Sequence, residues 1–171
     1  MTLSKSASLP TQYSLDYIKF DGSAKKGEQE SPAKLEFSEL SKGTYVIVGT
    51  PAAFSPPCSE QHLPGYVTGL KDFSSKGAKI IVLSKDNLFA NYAWAQKFGV
   101  SDKQDQIIFA SDTNLKFSKD VGLSTTEFDP LGEVAARYAI VVKDGVITYV
   151  AKEKAITEVT VSSAEKVLNE L

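Results

Sequence analysis

The chain has 171 residues, of which 42% are hydrophobic and 23% charged, ordinary usage for a single globular domain and unlike that of a disordered chain. Nineteen basic against 21 acidic residues give a net charge of -2, which offers no electrostatic footprint for nucleic acid or a membrane surface. One cysteine excludes an intrachain disulfide and a Cys-rich zinc site, and no apolar run approaches the ~20 residues that a membrane-spanning helix needs.

Residues 1–11 are small, polar and Ser-rich, which predicts a flexible start to a domain spanning residues 1–171. They lack the apolar region of a secretory signal and the arginines of a transit peptide, so a cytoplasmic protein is expected. An aromatic stretch around Tyr13, Tyr17 and Phe20 precedes a polar loop at residues 21–32, and residues 36–40 suit a short turn or helix. The run Tyr45-Val46-Ile47-Val48 is continuous and β-branched, as a strand buried on both faces requires. Leu63, Tyr66, Val67, Leu70 and Phe73 follow at helical spacing, and Gly77 supplies a stop.

Lys79 to Leu83 is a second buried strand. Asp86 is placed to cap a helix carrying Leu88, Phe89, Tyr92, Trp94, Ala95 and Phe98, with Gly99 just past its end. Gln106 to Ala110 is a third strand, and Asp112 precedes a short helix running through Phe117 to Val121. Tyr138–Val142 and Val146–Ala151 flank Lys143-Asp144-Gly145, a strong hairpin signal. Ser162 and Glu165 have capping-box spacing ahead of a terminal helix through Val167, Leu168 and Leu171. Three βα units followed by a hairpin and a closing helix predict a thioredoxin-like α/β fold, with a mixed central β-sheet flanked by helices on both faces.

Cys58 falls on the Pro-rich turn between the first buried strand and its helix, at the strand ends where open α/β sheets build sites. Ser55 is a good helix N-cap, which puts Cys58 in the first turn, where the helix dipole favours a thiolate over a thiol. Taken alone, a free cysteine is better explained as a small buried hydrophobe, and it is the Pro-rich strand-to-helix turn around Cys58 that shifts the balance. Arg137 is the only arginine beside eighteen lysines. That singularity marks either a place that needs a planar guanidinium or a surface bias towards lysine.

Pro51, Ser55 and Cys58 match the pattern P-x-x-x-(T/S)-x-x-C, and the longer string AAFSPPCSEQHLPGY resembles the peroxiredoxins, specifically the peroxiredoxin-5-type subfamily and its fungal alkyl hydroperoxide reductases. Asp86-Asn87 with Phe89 and Trp94, the segment Phe109-Ala110-Ser111-Asp112, and Arg137-Tyr138-Ala139 ahead of Lys143-Asp144-Gly145 extend the resemblance to the C-terminus. It implies a thiol-dependent peroxidase acting on hydrogen peroxide and alkyl hydroperoxides, with no cofactor and no metal. Cys58 would be the nucleophile that becomes a sulfenic acid, and Arg137 would hold the thiolate. Ser55 would orient the peroxide, and Pro51 would shield the pocket. The family more often has threonine where this chain has Ser55; serine keeps the hydroxyl.

With no second cysteine, regeneration falls to an external thiol such as thioredoxin, glutaredoxin or glutathione. The resemblance also implies a homodimer. The last three residues, Asn169-Glu170-Leu171, do not match an S-K-L peroxisomal signal. His62, four residues after Cys58, permits a rival Cys–His dyad of a cysteine hydrolase or acyl transferase, although packing or hydrogen bonding near the site explains it more simply. A non-enzymatic thioredoxin-fold binding module is the other rival. Phe89, Tyr92 and Trp94 read most simply as core, with a pocket or dimer role open.

Overall fold

A computed structural model describes residues 2–20, 22 and 30–171. Seven strands form one mixed sheet: β1 (Ser14–Phe20), β2 (Glu30–Glu36), β3 (Thr44–Gly49), β4 (Ala78–Ser84), β5 (Ile107–Ser111), β8 (Tyr138–Lys143) and β9 (Val146–Lys152), in the order β2-β1-β5-β4-β3-β8-β9. Two short strands, β6 (Ser124–Thr125) and β7 (Val134–Ala135), pair separately. The centre β5-β4-β3 is parallel, as the predicted βα units require. An antiparallel hairpin extends each side, β1–β2 beside β5 and β8–β9 beside β3. The predicted thioredoxin-like arrangement is therefore present.

The continuous apolar runs have the predicted cause. Ile47, Ile81, Leu83, Ile108 and Ile140 bury on one face with Phe37 and Phe117, while Val46, Val48, Ile80, Val82 and Val141 bury on the other. The second face is covered by α1 (Leu63–Thr68), α2 (Leu70–Ser75), α3 (Leu88–Lys97) and α5 (Ala164–Leu168), through Leu63, Phe73, Trp94 and Val167. The first face receives α4 (Lys116–Asp120) through Phe117, together with a 3₁₀ turn at Phe37–Ser41. Among the described residues no helix is long and apolar enough to cross a membrane.

Several local expectations shift. Residues 2–11, expected to be flexible, lie along the exposed side of β9. Ser6 N–H donates to the Ile147 carbonyl at 2.7 Å, Leu9 N–H to Gly145 at 2.8 Å, and Leu3 and Leu9 are buried. The segment thus occupies edge groups that would otherwise stand open to pairing. Much of the polar loop expected at residues 21–32 lies outside the described residues, and its end, from Glu30, is strand β2. Asn87, not Asp86, caps α3, accepting from Phe89 N–H and Ala90 N–H. The last helix is capped by Ser163, whose Oγ accepts from Lys166 N–H, because Ser162 is buried and bonded elsewhere. The Asp144-Gly145 turn is as predicted, with φ of 49° and 77° at its two residues.

Gly49 faces Tyr138 across the β3–β8 pair, and a β-carbon there would collide with the Tyr138 ring. Gly49→Ala is expected to lower stability by about 1–3 kcal/mol, the usual cost of overpacking, read as a lower urea midpoint at unchanged slope.

Candidate active site

Strand β3 is secured before it turns. Thr50 N–H and Oγ1–H both donate to the Leu83 carbonyl at 2.9 Å. Asp86, freed from capping, accepts from Ala53 N–H at 2.7 Å and from Ser84 Oγ–H at 2.9 Å, tying the outgoing loop to the end of β4. Phe54 then takes a positive φ of 62°, which for a bulky residue is a strained left-handed conformation. The chain enters a π-helical turn at Pro57–His62, closed by Leu63 N–H donating to the Cys58 carbonyl. Trp94 Nε1–H clasps Ser59 Oγ at 3.0 Å from the neighbouring helix.

Ser55 departs from its expected capping role. Its Oγ donates to the Ala52 carbonyl at 3.0 Å, and no side chain caps the turn. Pro56 and Pro57 supply no N–H for a cap to accept, so the helix start has fewer donors to satisfy. The Ser55 carbonyl instead accepts from Ser59 N–H at 2.8 Å.

Arg137 precedes β8 and is 1% exposed. Its Nη2 donates to Cys58 Sγ at 3.4 Å and to the Ile156 carbonyl at 2.6 Å; Nε–H also reaches Ile156 at 2.9 Å, and Nη1–H donates to His62 Nδ1 at 3.0 Å. Cys58 itself is fully buried. A pocket of about 300 Å³ opens in front of the guanidinium, lined among others by Pro51, Ser55, Phe128, Leu131, Arg137 and Ile156. The four residues singled out from the sequence therefore meet: Pro51, Ser55 and Arg137 on the pocket wall, Cys58 sealed behind and touching Arg137. A larger cavity of about 620 Å³ between Lys71, Lys79 and Asp105 lies where β4 begins, away from the strand ends that carry the site.

His62 is not available as a base. Its Nε2–H donates to the Ser162 carbonyl at 2.9 Å, which leaves Nδ1 as the acceptor from Arg137. Burial, reinforced by the adjacent guanidinium, holds the ring down to about 4. Both nitrogens are engaged with groups other than Cys58, so the Cys–His dyad does not form. Among the described residues no group of His, Cys, Asp or Glu is arranged to hold a metal ion. Of the aromatic trio expected in the core, Tyr92 and Trp94 are buried, but Phe89 is 62% exposed.

Sequence reasoning missed three contributors. The Ile156 carbonyl is a backbone group and has no sequence signature. Glu153 lies between Lys152 and Lys154, a charge run that reads as solvated, yet it is only 5% exposed. Ser162 looked like a cap, but its N–H and hydroxyl both donate to Glu153.

His62 gives the fold a pH dependence whose sign is fixed. As pH falls below about 6.5, the unfolded chain takes up a proton that the native ring refuses until about 4, so stability declines across that window. Wild type should lose stability between pH 6.5 and 5, on the order of 1–2 kcal/mol, while His62→Asn should lose much less. Urea midpoints measured across that range check it.

Comparison with known proteins fits this geometry. The chain matches the Redoxin family over residues 21–168. It is 32% identical to Peroxiredoxin AHP1 of Chaetomium thermophilum, covering 96% of this chain and 92% of that one. It is 39% identical to Peroxisomal membrane associated protein 20 of Schizosaccharomyces pombe, over 77% of this chain and 84% of its relative. The structure of reduced Prx3 from Vibrio vulnificus in complex with hydrogen peroxide superposes with a TM-score of 0.81 at 25% identity, covering 98% of each chain. With a fold, a cysteine-bearing turn and relatives that agree, this chain belongs to the Redoxin family as a peroxiredoxin of the fungal type, a peroxidase that takes its electrons from a thiol.

Proposed function

We propose that Cys58 is the peroxidatic residue and that Arg137, Ser55 and Pro51 complete its site. The observation that carries this reading is the Arg137 Nη2 to Cys58 Sγ contact of 3.4 Å at the back of the apolar pocket. A guanidinium has five N–H groups. Four are engaged among the described residues, by Ile156 twice, by Cys58 and by His62, so one N–H on Nη1 remains for a peroxide oxygen.

The sulfur, as thiolate, attacks one oxygen of the peroxide in line with the O–O bond. The S–O bond forms as the O–O bond breaks, and the departing oxygen takes a proton and leaves as water or an alcohol. Sulfur is oxidised to the sulfenic acid and the peroxide is reduced. Arg137 steadies the negative charge as it moves from sulfur to the departing oxygen, aided by the Ser55 hydroxyl once it swings from the Ala52 carbonyl. Pro51 keeps water from the near side of the pocket. An external thiol then displaces water from the sulfenic sulfur to give a mixed disulfide, and a second thiol releases Cys58. Thioredoxin, glutaredoxin or glutathione fits this role, since the chain has one cysteine.

We further propose a cytoplasmic homodimer. The exposed side chains of Phe54, Phe89 and Phe128 support self-association. Light scattering at micromolar concentration should report a dimer. A fluorescent fusion should be diffuse in the cytoplasm; punctate signal would favour the peroxisomal setting in the name of the Schizosaccharomyces pombe relative.

Cys58→Ser should abolish peroxide consumption while leaving the fold intact, and near-wild-type turnover would overturn the assignment. Arg137→Lys keeps a charge but loses the fork, so the thiol should be oxidised roughly 100-fold more slowly or worse. Intact mass after peroxide treatment should rise by two or three oxygens without reductant and show a glutathione adduct when glutathione is present. A stable disulfide-linked dimer under both conditions would contradict this route.

A further inference from the structure

We propose that Glu153 and His62 are positioning residues of one relay: Glu153 fixes residues 160–162, the Ser162 carbonyl then holds His62 as its Nε2–H tautomer, and His62 Nδ1 fixes Arg137 against Cys58. The inference rests on the peroxidase site described above and extends it to two residues that do not line the pocket.

Each link is short, and those from Ser162 inward to Arg137 are buried. Glu153 Oε1 accepts from Thr160 N–H at 2.7 Å and from Ser162 N–H and Oγ–H at 2.8 Å each, while Oε2 accepts from Thr160 Oγ1–H at 2.8 Å. Four donors on one carboxylate leave residues 160–162 little freedom. The Ser162 carbonyl, so fixed, accepts from His62 Nε2–H at 2.9 Å and from Tyr66 O–H at 2.7 Å. A carbonyl only accepts, so Nε2 must carry the proton and Nδ1 must present its lone pair. That lone pair meets Arg137 Nη1 at 3.0 Å.

The opposite tautomer would set N–H against N–H at Arg137 and a lone pair against the Ser162 oxygen. A protonated ring would set two cations together in a buried site. The charged and titratable groups around the ring are Arg137 ahead of β8, Glu153 just past β9, Cys58 on the ring's own π-helical turn and Tyr66 on α1. Burial chiefly, and then Arg137, hold the ring neutral. Burial alone would raise the Glu153 carboxyl, but its four hydrogen bonds outweigh that and lower it, so it remains a charged anchor. Backbone geometry couples the ends, because Glu153 N–H also donates to the Arg137 carbonyl at 2.9 Å.

Two nearly isosteric substitutions separate the ring's nitrogens. Asparagine can place its oxygen where Nδ1 accepts from Arg137 but cannot reach Ser162. Glutamine can place its amide where Nε2 donates to Ser162 but offers Arg137 nothing. With stoichiometric hydrogen peroxide, loss of the Cys58 thiol should slow about tenfold or more in His62→Gln, which loses the Arg137 contact, and should slow less in His62→Asn, which keeps that contact but loses the Ser162 anchor. Glu153→Gln should also be slower, and the Glu153→Gln/His62→Gln double variant should be no slower than the slower single one. Equal rates for wild type and His62→Gln, or a double variant slowed by the product of the two single effects, would overturn the relay. If instead the wild-type Cys58 thiol fails to react, it is the peroxidase assignment that fails.

The unmodified protein supplies an arm that no folding defect can spoil. His62 is the one histidine in the chain, so ¹⁵N spectra of a histidine-labelled sample contain one ring. A protonated Nε2 with a bare Nδ1 at pH 7, unchanged at pH 6, is expected. A protonated Nδ1, or a ring already charged at pH 6, would overturn the relay.

Discussion

A permanent cation buried inside a protein must be surrounded by acceptors, because its lost hydration costs several kcal/mol that only well-aimed hydrogen bonds offset. Arg137 imposes that requirement here. It donates two bonds to the Ile156 carbonyl, one to the His62 ring and one to the Cys58 sulfur. Each acceptor needs a fixed place in turn. Ile156 is held from its other side, its N–H donating to Glu127 Oε2 at 3.0 Å. The loops after β6 and β9 are therefore arranged around one guanidinium, and no buried polar side-chain atom among the described residues is left without a partner.

The sheet makes that convergence possible. Gly49 and Tyr138 are register partners at the end of the β3–β8 pair, so the residues just beyond β3 and just before β8 emerge at the same edge. The loop carrying Pro51, Ser55 and Cys58 leaves from one side, and Arg137 arrives from the other. The Tyr138 ring fills the space over Gly49, and its hydroxyl meets Ser118 Oγ at 3.0 Å, which extends the packing into α4. Residues 79 positions apart thus meet through register rather than through any local propensity.

What the sequence disclosed follows the range of the interactions. Buried strands, the Asp-Gly hairpin and the helices after β3 and β4 write themselves as apolar runs and spacings, so they were legible. A motif and a singular residue type also singled out Pro51, Ser55, Cys58 and Arg137, which the structure brings together. The N-terminal hairpin was not, because β2 reads as polar, with Glu30, Ser31, Lys34 and Glu36 among its seven residues. Caps were misplaced by one residue where tertiary bonding reassigned the side chain: Asp86 was drawn to Ala53 and Ser162 to Glu153. The roles of Glu153 and the Ile156 carbonyl depend on distant partners, and a linear pattern contains no trace of them.

The site also gathers four of the five residue types that occur once in the chain. Cysteine, histidine, tryptophan and arginine each occur once, and Cys58, His62, Trp94 and Arg137 are joined directly or through one neighbour. Trp94 packs against Phe54, Phe98 and Phe109, and its indole N–H holds Ser59, the residue after Cys58. Any motion that brings the buried sulfur to the surface must pull Ser59 from the indole or change the rings around it. With no other indole to contribute background, the intrinsic fluorescence of this protein is a gauge of whether its cysteine turn is seated or displaced, built in by composition and needing no attached dye.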